Sequence, residues 1–85
     1  MYYIYWLINE YKDKTYVGFS DNIERRLAEH KNKKVKSTID FGDFHYHILE
    51  EMATQREAII REKYWKSAAG RRKLKVLFDK FVNKK

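Results

Sequence analysis

An α+β domain built on a small antiparallel sheet is the fold this sequence predicts, and three features predict it. Residues 2 to 8, YYIYWLI, are β-branched and aromatic, the composition of a strand buried on both faces. Thr15 to Gly18 resumes the pattern after a polar link, which implies an antiparallel hairpin. Later segments switch to helical spacing, with helix-start residues in front of them. The expected order is β-β-α-β-α-α, a three-stranded antiparallel sheet packed with helices in one domain over residues 1–85.

Each element has its own warrant. In a symmetric hairpin joined by the polar link Asn9 to Lys14, Tyr5 would lie opposite Tyr16, so both rings would share one sheet face. The stretch SDNIERRLAEH opens with helix-start chemistry: Asp21 with Glu24 forms a possible capping box, and Ser20 is a competing cap. Ile23 and Leu27 mark its buried stripe, with Arg26 and His30 along the edge and Arg25 turned towards solvent. Residues 31–38, KNKKVKST, read as a basic loop with four lysines. FHYHILE, residues 44–50, alternates like a third strand. Thr54 with Glu57 forms another possible capping box and opens a helix through about Lys66. Gly70 is expected to separate it from a last helix, whose apolar face is Leu74, Leu77, Phe78 and Phe81.

Composition narrows the function classes. The chain has 85 residues and is 44% hydrophobic with fourteen aromatics, enough for one modest core. It has no cysteine, which removes disulfide frameworks and thiolate metal sites. No apolar run approaches the roughly 20 residues that span a bilayer, and no signal peptide is expected. The expectation is a soluble, cytoplasmic protein. Nineteen Lys and Arg face twelve Asp and Glu, a net charge of +7 that favours a polyanionic partner, nucleic acid before membrane.

One carboxylate stands out. The helical neighbours of Glu62 are Ala58, Ile59, Trp65 and Lys66, so it emerges among largely apolar side chains. Such a group needs a cation or hydrogen bonds. Two readings meet that need: an ion pair with Lys66, or a hard divalent cation held by the carboxylate and several waters. His45 and His47 also alternate at a spacing that could hold metal. With no third ligand in the pattern, a structural or exposed role is the better reading. Trp6 and Trp65 are read as core.

Tyr3-Ile4-Tyr5, ten residues, and then Tyr16-Val17-Gly18 resembles the double motif of the GIY-YIG nuclease family. Arg26 stands ten residues after Tyr16, at the position of that family's functional arginine, and Glu62 matches its single later glutamate. The patterns RRLAEH (Arg25 to His30) and REKYWK (Arg61 to Lys66) are similar to those of the small stand-alone bacterial members. Together these elements cover roughly residues 2–80 in the family's order.

The resemblance implies a metal-dependent phosphodiesterase that cuts DNA with one divalent ion, in DNA repair or processing. Glu62 would hold the ion, Mg²⁺ or Mn²⁺. Arg26 would stabilise charge at the scissile phosphate, which suits a fixed guanidinium fork. Tyr16 would orient or deprotonate the attacking water, with Tyr5 beside it positioning water or phosphate. A free tyrosine, with a pKa of about 10, would need a nearby cation for the second role. Gly18 allows close approach of helix or substrate, and His30 is a further site residue with a capping or packing role as the alternative. Lys31, Lys33, Lys34, Lys36 and Lys66 would contact the DNA backbone, with a solvated charge run an equal alternative for the loop. Two positions depart from the family pattern: Tyr3 replaces a glycine, and Phe19 stands where excision-repair members carry lysine. That charge must come from elsewhere, with Lys66 a source, or be absent. The alternatives to a nuclease are a nucleic-acid-binding module of the same fold without efficient chemistry, and a protein-interaction domain whose tyrosines are only core.

Overall fold

The middle strand β1 (Tyr2–Asn9) organises the molecule, flanked by β2 (Thr15–Ser20) and β3 (Phe44–Met52) in the order β2-β1-β3, with both pairings antiparallel. The helices are α1 (Ile23–Lys31), α2 (Gln55–Lys66) and α3 (Ala68–Asn83), and a short 3-10 turn covers Lys36–Thr38. The structure is a computed structural model that describes residues 1–9, 11 and 14–83, the last two by backbone alone. The order is β-β-α-β-α-α, as the sequence predicts. Glu10, Lys12 and Asp13 of the polar link lie outside the described residues.

Both faces of β1 are covered, so all of Ile4 to Asn9 is buried. Ile4, Trp6 and Ile8 pack with Ala58 and Trp65 of α2 and Leu74 of α3. Tyr5 and Leu7 face the other way, against Phe41 and the α1 residues Ile23 and Leu27. One strand thus serves two cores, which explains why its sequence is apolar without alternation.

The hairpin register differs from the symmetric expectation. The Asn9 N–H donates to the Lys14 carbonyl at 3.1 Å, and the Lys14 N–H donates to Asn9 Oδ1 at 2.9 Å. Closure at that pair sets Tyr5 opposite Gly18 and Leu7 opposite Tyr16. Tyr5 and Tyr16 are therefore diagonal neighbours on one face, with ring centroids 6.2 Å apart. The Tyr5 ring lies across Gly18, where a Cβ would stand 2.5 Å from the Tyr5 hydroxyl and 2.9 Å from Tyr16 Cε2.

Two helix boundaries also move. The cap of α1 is Asn22, whose side chain accepts from the Arg25 N–H at 3.0 Å; Ser20 instead bonds the Asn22 backbone. Asp21 is left to pair with Arg25 at 3.4 Å. For α2 the predicted cap holds: Thr54 Oγ1 accepts from the Glu57 N–H at 3.2 Å. The chain turns at Ser67, and Gly70 sits in the first turn of α3. Its Cβ would lie 2.2 Å from the Tyr64 carbonyl oxygen, so α3 folds back against the end of α2 only because no side chain intervenes.

α2 is pinned to the sheet by a polar clamp. Glu50 on β3 accepts from Arg61 Nε at 2.8 Å and from the Trp65 indole N–H at 2.6 Å. Burial pushes the Glu50 carboxyl up, but the hydrogen bonds from Arg61 and Trp65 outweigh it and hold the carboxyl below its ordinary value. His47, one of the two alternating histidines, stacks on Phe81 of α3 at 4.2 Å and packs against Trp6. Its role is structural. Trp6 and Trp65 are core, at 1% and 7% exposure.

Gly70→Ala should destabilise the protein by about 3 kcal/mol, because the obstructing atoms are backbone and cannot turn aside. Gly18→Ala should cost about 1–3 kcal/mol, because the rings above it have to shift. Denaturant unfolding of both variants checks the order.

Candidate active site

The site grows from the Tyr5 hydroxyl. Tyr5 is 0% exposed, so this polar group has to be satisfied by the protein. Arg26 Nε donates to it at 3.2 Å, and His30 Nε2 lies 2.8 Å away. On the far side of the imidazole, Nδ1 lies 2.7 Å from the Thr38 hydroxyl oxygen. Burial pushes the Tyr5 phenol up to about 12, only partly countered by Arg26. Tyr5 is thus a neutral hydroxyl between a cation and a histidine.

Helical spacing brings Arg26 and His30 together. Four residues apart on α1, they project from one face beside the Ile23–Leu27 stripe. Arg26 also donates to Glu29 Oε1 through Nη1 at 2.8 Å. The Glu29 and Tyr5 bonds hold the guanidinium firmly charged, and Arg26 in turn lowers the Glu29 carboxyl. Its side chain is 33% exposed, so the fork is braced at two nitrogens and still reaches solvent.

His30 is far more buried than an edge position implies, at 2% exposure. It packs edge-on against Tyr16, Tyr5 and Phe44, with centroids 5.2, 5.6 and 6.3 Å away. Burial, and then the Arg26 charge, drives its pKa down to about 4, with Glu29 opposing weakly. At neutral pH it is an uncharged imidazole.

Tyr16 is half-buried on the edge strand β2, at the rim of this cluster. Lys66 places its ammonium 5.5 Å from the Tyr16 ring centroid and 3.6 Å from Glu62 Oε2. Glu62 thus reaches Tyr16 through Lys66, and the ion pair read from the sequence is present. Phe19 packs against the core, whereas the Lys66 ammonium stands beside Tyr16. Tyr3 is half-buried and pairs with Ser20 across the hairpin, so a side chain fits where the motif has glycine. Lys31 ends α1, and Lys33, Lys34 and Lys36 follow it, all exposed.

The structure thus brings Tyr5, Tyr16, Arg26 and His30 into one cluster and joins Glu62 to it by way of Lys66. Sequence reasoning missed Glu29 and Thr38. The spacing of Glu29 three residues after Arg26 could have signalled the first. No local pattern marks the second, which meets His30 only through the fold of the intervening turn. Among the described residues, no three His, Cys, Asp or Glu side chains cluster so as to hold a metal together.

A tyrosine pair on a β-hairpin thus stands beside an arginine helix and a glutamate helix. The family profile described as GIY-YIG catalytic domain matches residues 1–75, and the chain belongs to that family. No curated protein and no solved structure matches it.

The buried His30 makes stability depend on pH with a definite sign. The unfolded chain protonates this imidazole near its ordinary value of 6.5, whereas the folded one resists until about 4. The stabilisation is complete above pH 6.5 and is lost as the pH falls towards 4. Relative to His30→Gln, the natural protein should lose about 2–3 kcal/mol between those values. Urea unfolding across the pH series measures the difference.

Proposed function

We propose that this protein is an endonuclease that hydrolyses DNA phosphodiesters with one divalent ion, Mg²⁺ or Mn²⁺, in DNA repair or processing in the cytoplasm. The observation that carries the reading is the convergence of the Tyr5, Tyr16, Arg26 and His30 cluster with Glu62, which Lys66 joins to it at the Tyr16 ring. Membership of a nuclease family supports it. No helix among the described residues is long and apolar enough to cross a membrane, and the +7 charge suits a polyanion.

The residues fit a metal of the hard, oxygen-seeking kind. Mg²⁺ keeps several waters and takes substrate phosphate oxygens, so one carboxylate suffices. Glu62 offers one, with a side chain 22% exposed and a single long ion pair to Lys66. When bound, the ion would supply Lewis-acid polarisation of the phosphate.

The chain's own groups do the rest. Water attacks phosphorus as the bond to one sugar oxygen breaks, and negative charge grows on the equatorial oxygens. The attacking water gives up a proton to solvent, and the leaving sugar oxygen takes one from solvent. Arg26 meets that charge already oriented by Tyr5 and Glu29, so little reorganisation is needed. Tyr16, with its ring at the rim, orients the attacking water. Lys66 adds the positive charge that Phe19 cannot supply. Tyr5, being fully buried, acts through Arg26 and His30. Lys31, Lys33, Lys34 and Lys36 hold the DNA backbone beside the site without reading its sequence.

The second reading is a DNA-binding module of the same fold. Phe19 and the Lys66–Glu62 pair favour it, because the first stands where a lysine charge is missing and the second competes with a metal for the carboxylate.

Cleavage of linear, nicked and branched DNA with Mg²⁺, Mn²⁺ or chelator separates the two. Glu62→Ala, Tyr16→Phe and Arg26→Ala should each lower kcat by at least about 100-fold with folding intact. Salt-sensitive binding with no metal-dependent cutting would make the module the correct account. In either case, each alanine at Lys33, Lys34 or Lys36 should reduce the salt slope of binding by about 1. Fluorescence anisotropy across a salt series reads that slope.

A further inference from the structure

We infer that Thr38 is a positioning residue of the active site: its hydroxyl selects the tautomer of His30 that accepts a hydrogen bond from the Tyr5 O–H and thereby turns the Tyr5 oxygen towards Arg26. This rests on the nuclease reading for its catalytic consequence but not for its geometry.

The hydrogen-bond directions follow from the ends of the chain. At one end, Arg26 can only donate, so the Tyr5 oxygen accepts from its Nε at 3.2 Å. The Tyr5 O–H is then free to point at His30 Nε2, 2.8 Å away. At the other end, the Thr38 hydroxyl donates to the Val35 carbonyl at 3.5 Å, within the turn that Thr38 itself closes. Its oxygen is left to accept from His30 Nδ1 at 2.7 Å. A neutral imidazole has one N–H and one lone pair, and only the form with the proton on Nδ1 makes both contacts while keeping the Thr38–Val35 bond and leaving Nε2 as an acceptor for the Tyr5 O–H.

The opposite tautomer carries a penalty on both sides. A proton on Nε2 would point at the Tyr5 oxygen and compete with Arg26 for its lone pairs. The Thr38 hydroxyl would then have to leave Val35 to donate to Nδ1. His30 and Thr38 are each 2% exposed, so water cannot readily repair either loss. The groups packed around the imidazole are Tyr5 on β1, Tyr16 on β2, Phe44 on β3, and Arg26 and Glu29 on α1. None of them offers Nδ1 a contact in place of Thr38 among the described hydrogen bonds. The low pKa of His30 agrees with an uncharged ring, for which the choice of tautomer has meaning.

The consequence for chemistry is orientation. With its O–H directed at His30 Nε2, the Tyr5 oxygen presents its lone pairs to Arg26 and helps fix the guanidinium where a phosphate would meet it. Thr38 touches neither substrate nor reacting atoms. Its loss should therefore lower turnover and spare binding, because the lysines that precede it remain in place.

Long-range ¹H–¹⁵N correlation spectra of the imidazole at pH 7.5 test this directly. The natural protein should show His30 protonated at Nδ1 and bare at Nε2. Thr38→Val, isosteric but without an acceptor, should move the proton to Nε2 wholly or in part. Thr38→Ser should restore the natural pattern. In DNA cleavage, Thr38→Val should lower kcat about tenfold with KM within about twofold, and Thr38→Ser should recover it. An Nε2-protonated ring in the natural protein overturns the inference outright and requires no variant to fold. So does a Thr38→Val protein with unchanged tautomer, or with a changed tautomer and unchanged kcat. If the natural protein cuts no DNA, the nuclease reading fails, and the spectra still decide what Thr38 does.

Discussion

A phenol buried at the centre of a sheet needs partners that only the protein can supply, and this fold is arranged around supplying them. Left unpaired, the Tyr5 hydroxyl would cost about 1–3 kcal/mol. A guanidinium and an imidazole from one helix meet it instead. Because both come from α1, the helix has a fixed rotation on the sheet as well as a fixed distance. The apolar stripe of Ile23 and Leu27 supplies attraction without direction, and the hydrogen bonds supply the direction.

The division of β1 between two cores follows from the same demand. The face carrying Tyr5 and Leu7 is polar at its edge and holds the proposed site, while the face carrying Ile4, Trp6 and Ile8 is apolar and holds the molecule together. α2 belongs to the second core through Ala58 and Trp65. Its Glu62 and Lys66 nevertheless approach the first, because Lys66 reaches the Tyr16 ring at the edge strand. The Glu50 clamp on Arg61 and Trp65 fixes the position of that helix. Strands and helices thus carry every group of the proposed site, and of its lysines only Lys33 and Lys34 lie between elements.

Much of this was legible in the residues. Strand composition, helical spacing and the Thr54 cap gave the element order, and the tyrosine, arginine and glutamate positions gave the family. What escaped was whatever depends on fine geometry or distant contact. The hairpin register turned on closure between Asn9 and Lys14, which put Gly18 under the Tyr5 ring and made the tyrosines diagonal. The burial of His30 depends on a 3-10 turn folding over it from eight residues downstream, and helix periodicity carries no trace of that. Gly70 looked like a break because glycine often ends a helix, but it is a point of contact between two helices. Local pattern named the parts, and tertiary packing chose which neighbour each one meets.

The pairing of Tyr5 with Gly18 also bears on how faithfully the chain must assemble. A hairpin slipped by one residue turns every β2 side chain to the opposite face. Tyr16 would leave the cluster, and a side chain would lie under the Tyr5 ring where only glycine fits. Such a chain would lose the core and the proposed site in the same stroke. For a member of a nuclease family, this ties the proposed chemistry to completed folding: a misassembled copy would lack the site.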